Sequence, residues 1–232
     1  MRDLLEGLIQ AIDLIFSLDQ TLYEIIWFSL YVSGVALTFS ILVGIPLGAL
    51  LGLKGFFGRR FIMALLYTGM GFPPVVIGLF VYLVLSRSGP LGDLGWLFTP
   101  SAIIVAQTII SFPLVAGFTM AAVMGVDRNL RQQLVSLGAT GWQATLATLA
   151  EARIGVVVAI IAGFGSIISE VGAVILVGGN IEGKTRTLTT AIVLETRKGN
   201  FELAMALGMI LLLITFLINL TMVRLQGREL VR

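Results

Sequence analysis

Apolar residues run along this chain in long unbroken stretches, not in the alternation of a half-buried strand. Five stretches stand out, at about 24–53, 61–85, 101–126, 154–178 and 201–223. A helix rises 1.5 Å per residue, so about 20 such residues cross the roughly 30 Å hydrocarbon core of a bilayer. The continuity predicts five transmembrane helices and argues against a barrel, whose strands alternate apolar and polar positions. Segment 1–22 is patterned differently. Leu4, Leu5, Leu8, Ile9, Ile12, Ile15 and Phe16 recur at helical spacing, with Arg2, Asp3, Glu6, Gln10 and Asp13 between them. That predicts an amphipathic helix lying in the membrane interface. Its acids, and the absence of a small-residue cleavage site, set it apart from a signal peptide.

Composition turns a set of apolar helices into an all-α integral membrane protein. Of 232 residues, 57% are hydrophobic and 12% charged, against roughly 25% charged in a soluble domain. The mean hydropathy is +1.02. A soluble enzyme, a nucleic-acid-binding domain and a disordered chain are excluded on these grounds. There is neither Cys nor His, so the chain lacks disulfides, Cys or His metal ligands and the commonest general base. No catalytic residue and no metal ligand is assigned.

Charge orients the spans. With the N-terminus outside, nine Lys or Arg fall on the inner side (Lys54, Arg59, Arg60, Arg128, Arg131, Arg153, Arg224, Arg228, Arg232) and six on the outer (Arg2, Arg87, Lys184, Arg186, Arg197, Lys198). The positive-inside bias predicts N-terminus out and C-terminus in, with residues 224–232 a cytoplasmic tail behind a membrane domain at 23–223. The inner segment 127–153 carries its own pattern. Leu130, Leu134 and Leu137 form one i, i+4, i+7 stripe, and Trp142, Leu146 and Leu149 form another. Gly138 and Gly141 separate them. Two short helices joined by a sharp turn are predicted. Spacing alone leaves two readings open: a plain interfacial loop, or a hairpin whose tip is offered to the cytoplasm.

The stretch Gln132-Gln133-Leu134-Val135-Ser136-Leu137-Gly138-Ala139 resembles the "EAA…G" coupling loop of ABC importer permeases. Gln132-Gln133-Leu134 replaces the Glu-Ala-Ala triplet, and Leu149-Ala150 the closing Leu-Pro; Leu137-Gly138-Ala139 and Trp142 match. The resemblance implies that Gln133, Leu134, Leu137, Gly138, Ala139 and Trp142 dock on an ATPase subunit. A second run, Glu170-Val171-Gly172-Ala173 with Gly179-Asn180-Ile181-Glu182-Gly183-Lys184-Thr185-Arg186-Thr187-Leu188, resembles the oxyanion branch of that family, the molybdate, tungstate and sulfate permeases. Its continuation, Thr189 to Thr196 and Lys198 to Ala204, looks most like the tungstate type. The likeness spans 23–223. It implies a type I permease core with five transmembrane helices, an N-terminal amphipathic helix and a cytoplasmic coupling hairpin. The implied assembly is a homodimer in the lipid of the cytoplasmic membrane, with two cytoplasmic ATPase subunits that bind ATP and Mg. This chain itself would hold no cofactor. An extracytoplasmic binding protein would deliver tungstate or molybdate, and no nucleic acid is involved.

Gly178-Gly179-Asn180-Ile181-Glu182-Gly183-Lys184-Thr185 formally satisfies the P-loop pattern G-x-x-x-x-G-K-[ST]. A P-loop needs a strand before it, a helix after it and a soluble α/β domain around it. Here the preceding apolar run has the length of a span, and the loop falls on the outer side, away from cytoplasmic ATP. Nucleotide binding is therefore not expected. Asn180, Lys184, Thr185 and Arg186 are instead candidates for an external loop facing the anion; an ordinary solvated loop is an equal reading of the two cations.

Glu170 is the one acid well within a span, and such residues usually face a bundle interior or mark a functional site. A bare carboxylate would repel an anion, so pairing with a cation, a backbone donor or a proton is expected, in a packing or gating role. Gly44, Gly48 and Gly52 recur every four residues and predict a close helix–helix seam. Pro46, Pro73, Pro74 and Pro113 interrupt the first three spans, and Pro73-Pro74 beside Gly69 and Gly71 is the strongest candidate for irregular backbone on a transport pathway. Thr108, Ser111, Ser166 and Ser169 are candidates for a polar lining. An ATP-independent channel or carrier would be expected to show buried ionisable pairs or an internal repeat. A membrane enzyme would need a catalytic constellation that this composition does not supply. An importer subunit, powered by a separate ATPase, is the reading favoured over both.

Overall fold

In the computed structural model the described residues are 20–230, together with Ile9 and Ile12, without the side chains of Arg128 and of 225–230. The amphipathic helix predicted at 1–22 lies almost wholly outside them, as does Arg232 at the tail. Among the described residues there is no strand. The elements are α1 (Gln20–Leu53), α2 (Arg59–Met70), α3 (Pro74–Leu85), a 3-10 turn (Gly92–Leu94), α4 (Pro100–Met124), α5 (Arg128–Ser136), α6 (Gly141–Glu151), α7 (Arg153–Ile168), α8 (Gly172–Gly178), α9 (Leu188–Arg197) and α10 (Phe201–Leu230).

Three of these helices, α1, α4 and α10, are long and apolar enough to cross a membrane alone, and five spans result if each of two bent pairs counts as one. The first predicted span is α1. Its 34 residues extend about 50 Å, more than a bilayer core requires. The second is broken into α2 and α3, which meet at 102°. The cause is local. A residue before proline is driven out of the helical region, and Pro73 (φ −62°, ψ 122°) is extended because Pro74 follows it. Pro74 then starts α3 at the first helical position, where a missing N–H costs nothing. Pro46 and Pro113 behave otherwise: α1 and α4 run through them.

The fourth predicted span, 154–178, is also two helices. After α7 the chain leaves the helix at Ser169–Val171, and α8 begins at Gly172. No proline forces this break. Two side chains hold it: the Glu170 carboxylate accepts the Ala173 N–H at 2.9 Å, and the Thr189 hydroxyl donates to the Glu170 carbonyl at 2.9 Å. A further bend of 69° separates α6 from α7. Between the fourth and fifth predicted spans, segment 179–200 contains α9, opened by a capping box in which the Thr187 and Thr190 side chains each bond the other's backbone N–H.

The chain divides into two compact units. The first takes in the chain to Ala36, Pro73–Gln107 and Ile167–Val223. Its core joins Leu22 of α1 to Leu188 and Ala191 of α9 and to Ala206, Leu207 and Ile210 of α10. In the same unit α3 and α8 lie side by side in the same direction, for Gly172 faces Val75 and Gly78 faces Ala173 and Leu176. A Cβ on either glycine would collide with that neighbour. The second unit comprises Leu37–Phe72, Thr108–Ser166 and the chain from Arg224. Its core joins Leu51, Leu66, Ala116 and Met120. Here the predicted glycine seam is found: Gly44, Gly48 and Gly52 press α1 onto Val115, Ala116, Thr119, Met120 and Val123 of α4. Close approach of this kind drives helix association in lipid, where apolar burial gains little.

Candidate functional site

In the second unit, α5 and α6 form a hairpin whose turn is closed by backbone bonds at the end of α5 and by a side-chain capping box at the start of α6. Leu137 caps α5, and Gly138 follows at φ 92°, the left-handed region that glycine enters without penalty. The Gly138 N–H donates to the Val135 carbonyl and the Ala139 N–H to the Leu134 carbonyl, both at 3.0 Å. This double bond pair is a Schellman motif. One residue later Thr140 opens α6 with a capping box: its hydroxyl accepts the Gln143 N–H, and the Gln143 side-chain oxygen accepts the Thr140 N–H at 2.8 Å. Asp127 starts α5 in the same manner, its carboxylate accepting the Asn129 N–H at 2.9 Å.

With both helix ends capped, the apolar side chains at the tip are left to solvent. Leu137 is 85% and Trp142 71% exposed, with Val135 and Leu146 about half exposed. Gln133 and Gly138 are also exposed, whereas Leu134 and Ala139 are half-buried. The sequence stripe Trp142, Leu146, Leu149 does not seat α6 on its neighbours; Ala144 and Thr148 do, and both are buried. Large apolar side chains in helical register, turned outward on a capped turn, are a surface suited to a partner.

The candidates for a pathway fall in both units. In the first, Pro73 and Pro74 shape the start of α3, and Ser169 and Glu170 occupy the break before α8. Because α3 and α8 run parallel, both breaks lie at the same end of the pair. Glu170 is half-buried, and its carboxylate occupies the N-terminus of α8, where the helix dipole favours an anion. In the second unit, Ser111 is fully buried and shares a 2.6 Å hydrogen bond with Ser40, whose hydroxyl also donates to the Thr108 carbonyl at 3.3 Å. Thr108 and Ser166 are half-buried, and Ser169 is exposed.

The loop 179–187 of the first unit uses its polar side chains inwardly. Thr185 is fully buried; its hydroxyl donates to the Gly178 carbonyl at 2.6 Å and accepts the Ile181 N–H at 3.0 Å. Thr185 is therefore a strut of the loop and does not face outward with the other candidates. The Asn180 amide donates to the Thr190 carbonyl at 3.3 Å. Arg186, only 15% exposed, pairs with Glu182 at 3.3 Å. Of the four candidates Lys184 alone stands exposed. The N–H groups of Lys184, Thr185 and Arg186 all point back to the Ile181 carbonyl. The amides that would cradle a phosphate in a P-loop are thus spent on one carbonyl, and a helix, not a strand, precedes them. Farther along, the Glu195 carboxylate accepts from the Lys198 ammonium at 2.8 Å and the Asn200 amide at 3.2 Å. The Lys198 hydrogen bond, seconded by its charge and by Asn200 and Arg186, holds Glu195 below the usual carboxylate range against the opposing effect of burial.

Three comparisons bear on this arrangement. Residues 44–228 match the family model "Binding-protein-dependent transport system inner membrane component". The chain is 45% identical over 205 residues to a "Probable anion ABC transporter permease protein" of Haloferax volcanii, covering 86% of this chain and 88% of the relative. It is 38% identical over 226 residues to the "Tungstate uptake system permease protein TupB" of Peptoclostridium acidaminophilum, covering 97% and 99%. It is 31% identical over 209 residues to the Escherichia coli "Molybdenum transport system permease protein ModB", covering 83% and 91%. In fold it is similar to the MetNI methionine ABC transporter in an inward-facing form (TM-score 0.75, 20% identity, covering 90% of this chain and 96% of that one). It is also similar to a bacterial alginate ABC importer (TM-score 0.72, 22% identity, covering 91% and 80%). Apolar helices of spanning length, the outward-facing hairpin and near-full-length similarity converge: the chain belongs to the binding-protein-dependent transport system inner membrane components, multi-pass membrane permeases of ABC importers with the type I fold.

Proposed function

We propose that this chain is the membrane subunit of an ATP-driven oxyanion importer, with tungstate as its cargo. It works as a homodimer with two cytoplasmic ATPase subunits and an external binding protein. The observation that carries this reading is the hairpin tip, where Leu137 and Trp142 are exposed on a turn stiffened by a Schellman motif and a capping box. A rigid apolar knob transmits a push without first folding. Gln133, Leu134, Leu137, Gly138, Ala139 and Trp142 form the contact with the ATPase. The N-terminus then faces outward and the tail inward, as the Lys and Arg distribution favours.

ATP binding draws the two ATPases together, and the paired hairpins follow them. The breaks at Pro73-Pro74 and Ser169–Val171 are where α3 and α8 hinge, and Glu170 gates by holding the start of α8. Thr108 and Ser166 contribute polar positions along the route, and Lys184, the exposed cation of the loop, offers positive potential to the arriving anion. Tungstate is supported over molybdate by the greater and more complete similarity to a tungstate permease than to a molybdate permease.

Cysteines at Leu137 and Ala139 test the coupling. Each is expected to crosslink to an ATPase subunit from the cytoplasmic side; labelling from the outside instead would overturn the reading. Uptake into vesicles loaded with ATP, with the cognate binding protein and either anion outside, tests the cargo. Preferential tungstate uptake is expected, and equal or greater molybdate uptake would reassign it.

A further inference from the structure

We infer that the second unit holds a phosphate site, occupied in the membrane by the headgroup of an anionic phospholipid. A cavity of about 680 Å³ opens among the end of α1, the start of α2, the end of α4 and helix α5. Its charged lining is Lys54, Arg59 and Arg131 against the single carboxylate Asp127. Asp127 is already engaged as the cap of α5. Arg59 is tied to the wall, its Nε donating to the Leu51 carbonyl at 2.6 Å. Arg131 is the telling residue: its buried Nε has no hydrogen-bond acceptor among the described residues. A buried donor without an acceptor is costly, and a guanidinium edge beside two further cations suits the oxygens of a phosphate group.

The rim says which phosphate. The loop Gly55–Gly58 and the first turn of α2 carry Phe56, Phe57 and Phe61, all exposed and Phe57 entirely so. Exposed aromatic rings beside Lys54 and Arg59 form the pairing that anchors proteins where acyl chains meet headgroups. A free inorganic ion satisfies the cations and leaves the rings in water; a phospholipid satisfies both. The orientation proposed above decides only which leaflet supplies the lipid. Binding in detergent does not depend on it, so the two readings fail separately.

The test uses the full chain, purified in detergent and stripped of lipid, with native mass spectrometry and thermal melting as readouts. Short-chain phosphatidylglycerol is expected to bind at least about tenfold more tightly than phosphatidylcholine. Lys54→Gln and Arg131→Gln are each expected to weaken it roughly fivefold, with Arg131→Lys recovering only part of the loss, since an ammonium keeps the charge but lacks the Nε–H edge. Arg60→Gln, outside the lining, is expected to stay within about twofold. Phe57→Ser distinguishes the sources, since it weakens the lipid but not inorganic phosphate. If inorganic phosphate matches phosphatidylglycerol and Phe57→Ser is neutral, the lipid occupant is wrong. If neither anion exceeds phosphatidylcholine, or Lys54→Gln leaves binding intact, the site is overturned. Lys54 is exposed, so its variant reports even if an Arg131 variant fails to fold.

Discussion

The hairpin turn at 137–140 and the loop at 179–187 are both glycine-containing connections between helices, and they present opposite surfaces. At the hairpin, backbone groups close the end of α5, through Gly138 and Ala139 to Val135 and Leu134, the small polar side chains of Thr140 and Gln143 cap α6, and the large apolar side chains are left outside. In the loop, side chains do that work. Thr185 bridges Gly178 and Ile181, Asn180 bonds Thr190, and Thr187 caps α9. The polar residues are consumed, and the loop has little left to offer beyond Lys184. A turn that closes on its own backbone keeps its side chains for a partner; a turn that needs its side chains becomes part of the core.

The sharpest way to break this contrast is at the tip. Leu137→Asp or Trp142→Asp is expected to cut ATP-driven uptake about 30-fold or more, the cost of losing a buried anchor at an interface. The melting temperature of the isolated permease should barely move, because neither side chain is packed within it. Uptake at the normal rate, or a large drop in melting temperature, contradicts a free docking surface. In the loop the balance is reversed. Thr185→Val strands the Ile181 N–H without its acceptor and is expected to cost about 1–3 kcal/mol, read as a lower unfolding midpoint in detergent. Lys184→Ala should change that midpoint by less than about 0.5 kcal/mol. Equal effects from both would mean that Thr185 is not the strut its hydrogen bonds describe.

A smaller effect concerns acid. Glu195 binds its proton more weakly when folded than its ordinary value of 4.5, so the stability it contributes is present above that value. It is lost as pH falls through the lowered folded value. Glu195→Gln is therefore expected to flatten the fall of stability below about pH 4.5; superimposable pH profiles for the two proteins would remove Glu195 from the account. The smallest expected effect is none at all. Glu182→Ala with Lys184→Ala should leave the ATP affinity of the assembled transporter unchanged, since the loop amides are bonded to Ile181. A marked loss of affinity would return the P-loop reading.

How far the sequence is legible depends on how local each cause is. The break at Pro73-Pro74 could be read directly, because proline restricts its own backbone and that of the residue before it. The glycine seam of α1 could be read too, since a four-residue repeat puts small residues on one face. The break at Ser169–Val171 could not: its carbonyl is held by Thr189, 19 residues further on. The helix α9 did leave a signal, Thr187 placed three residues before Thr190 ahead of an apolar pattern. The glycines, charges and P-loop spelling of the surrounding stretch mask that signal. Pro46 and Pro113 suggested interruptions where the helices continue, as neighbouring helices in membranes tolerate prolines that would break a soluble helix.

That this chain belongs in a bilayer, roughly where its apolar helices lie, and which family of transport subunits it joins can all be read from the order of its residues. Those properties follow from apolar run length, from charge placement and from short motifs, all of which are local. Which faces are free emerges from packing. Leu137 and Leu134 look alike in the sequence, yet one stands in solvent and the other is half-buried, because the left-handed turn at Gly138 redirects the chain after the helix has ended. Thr185 and Lys184 are adjacent, yet one is a strut and the other exposed. Exposure is set by what packs against a residue from elsewhere in the chain, and no window along the sequence contains that neighbour.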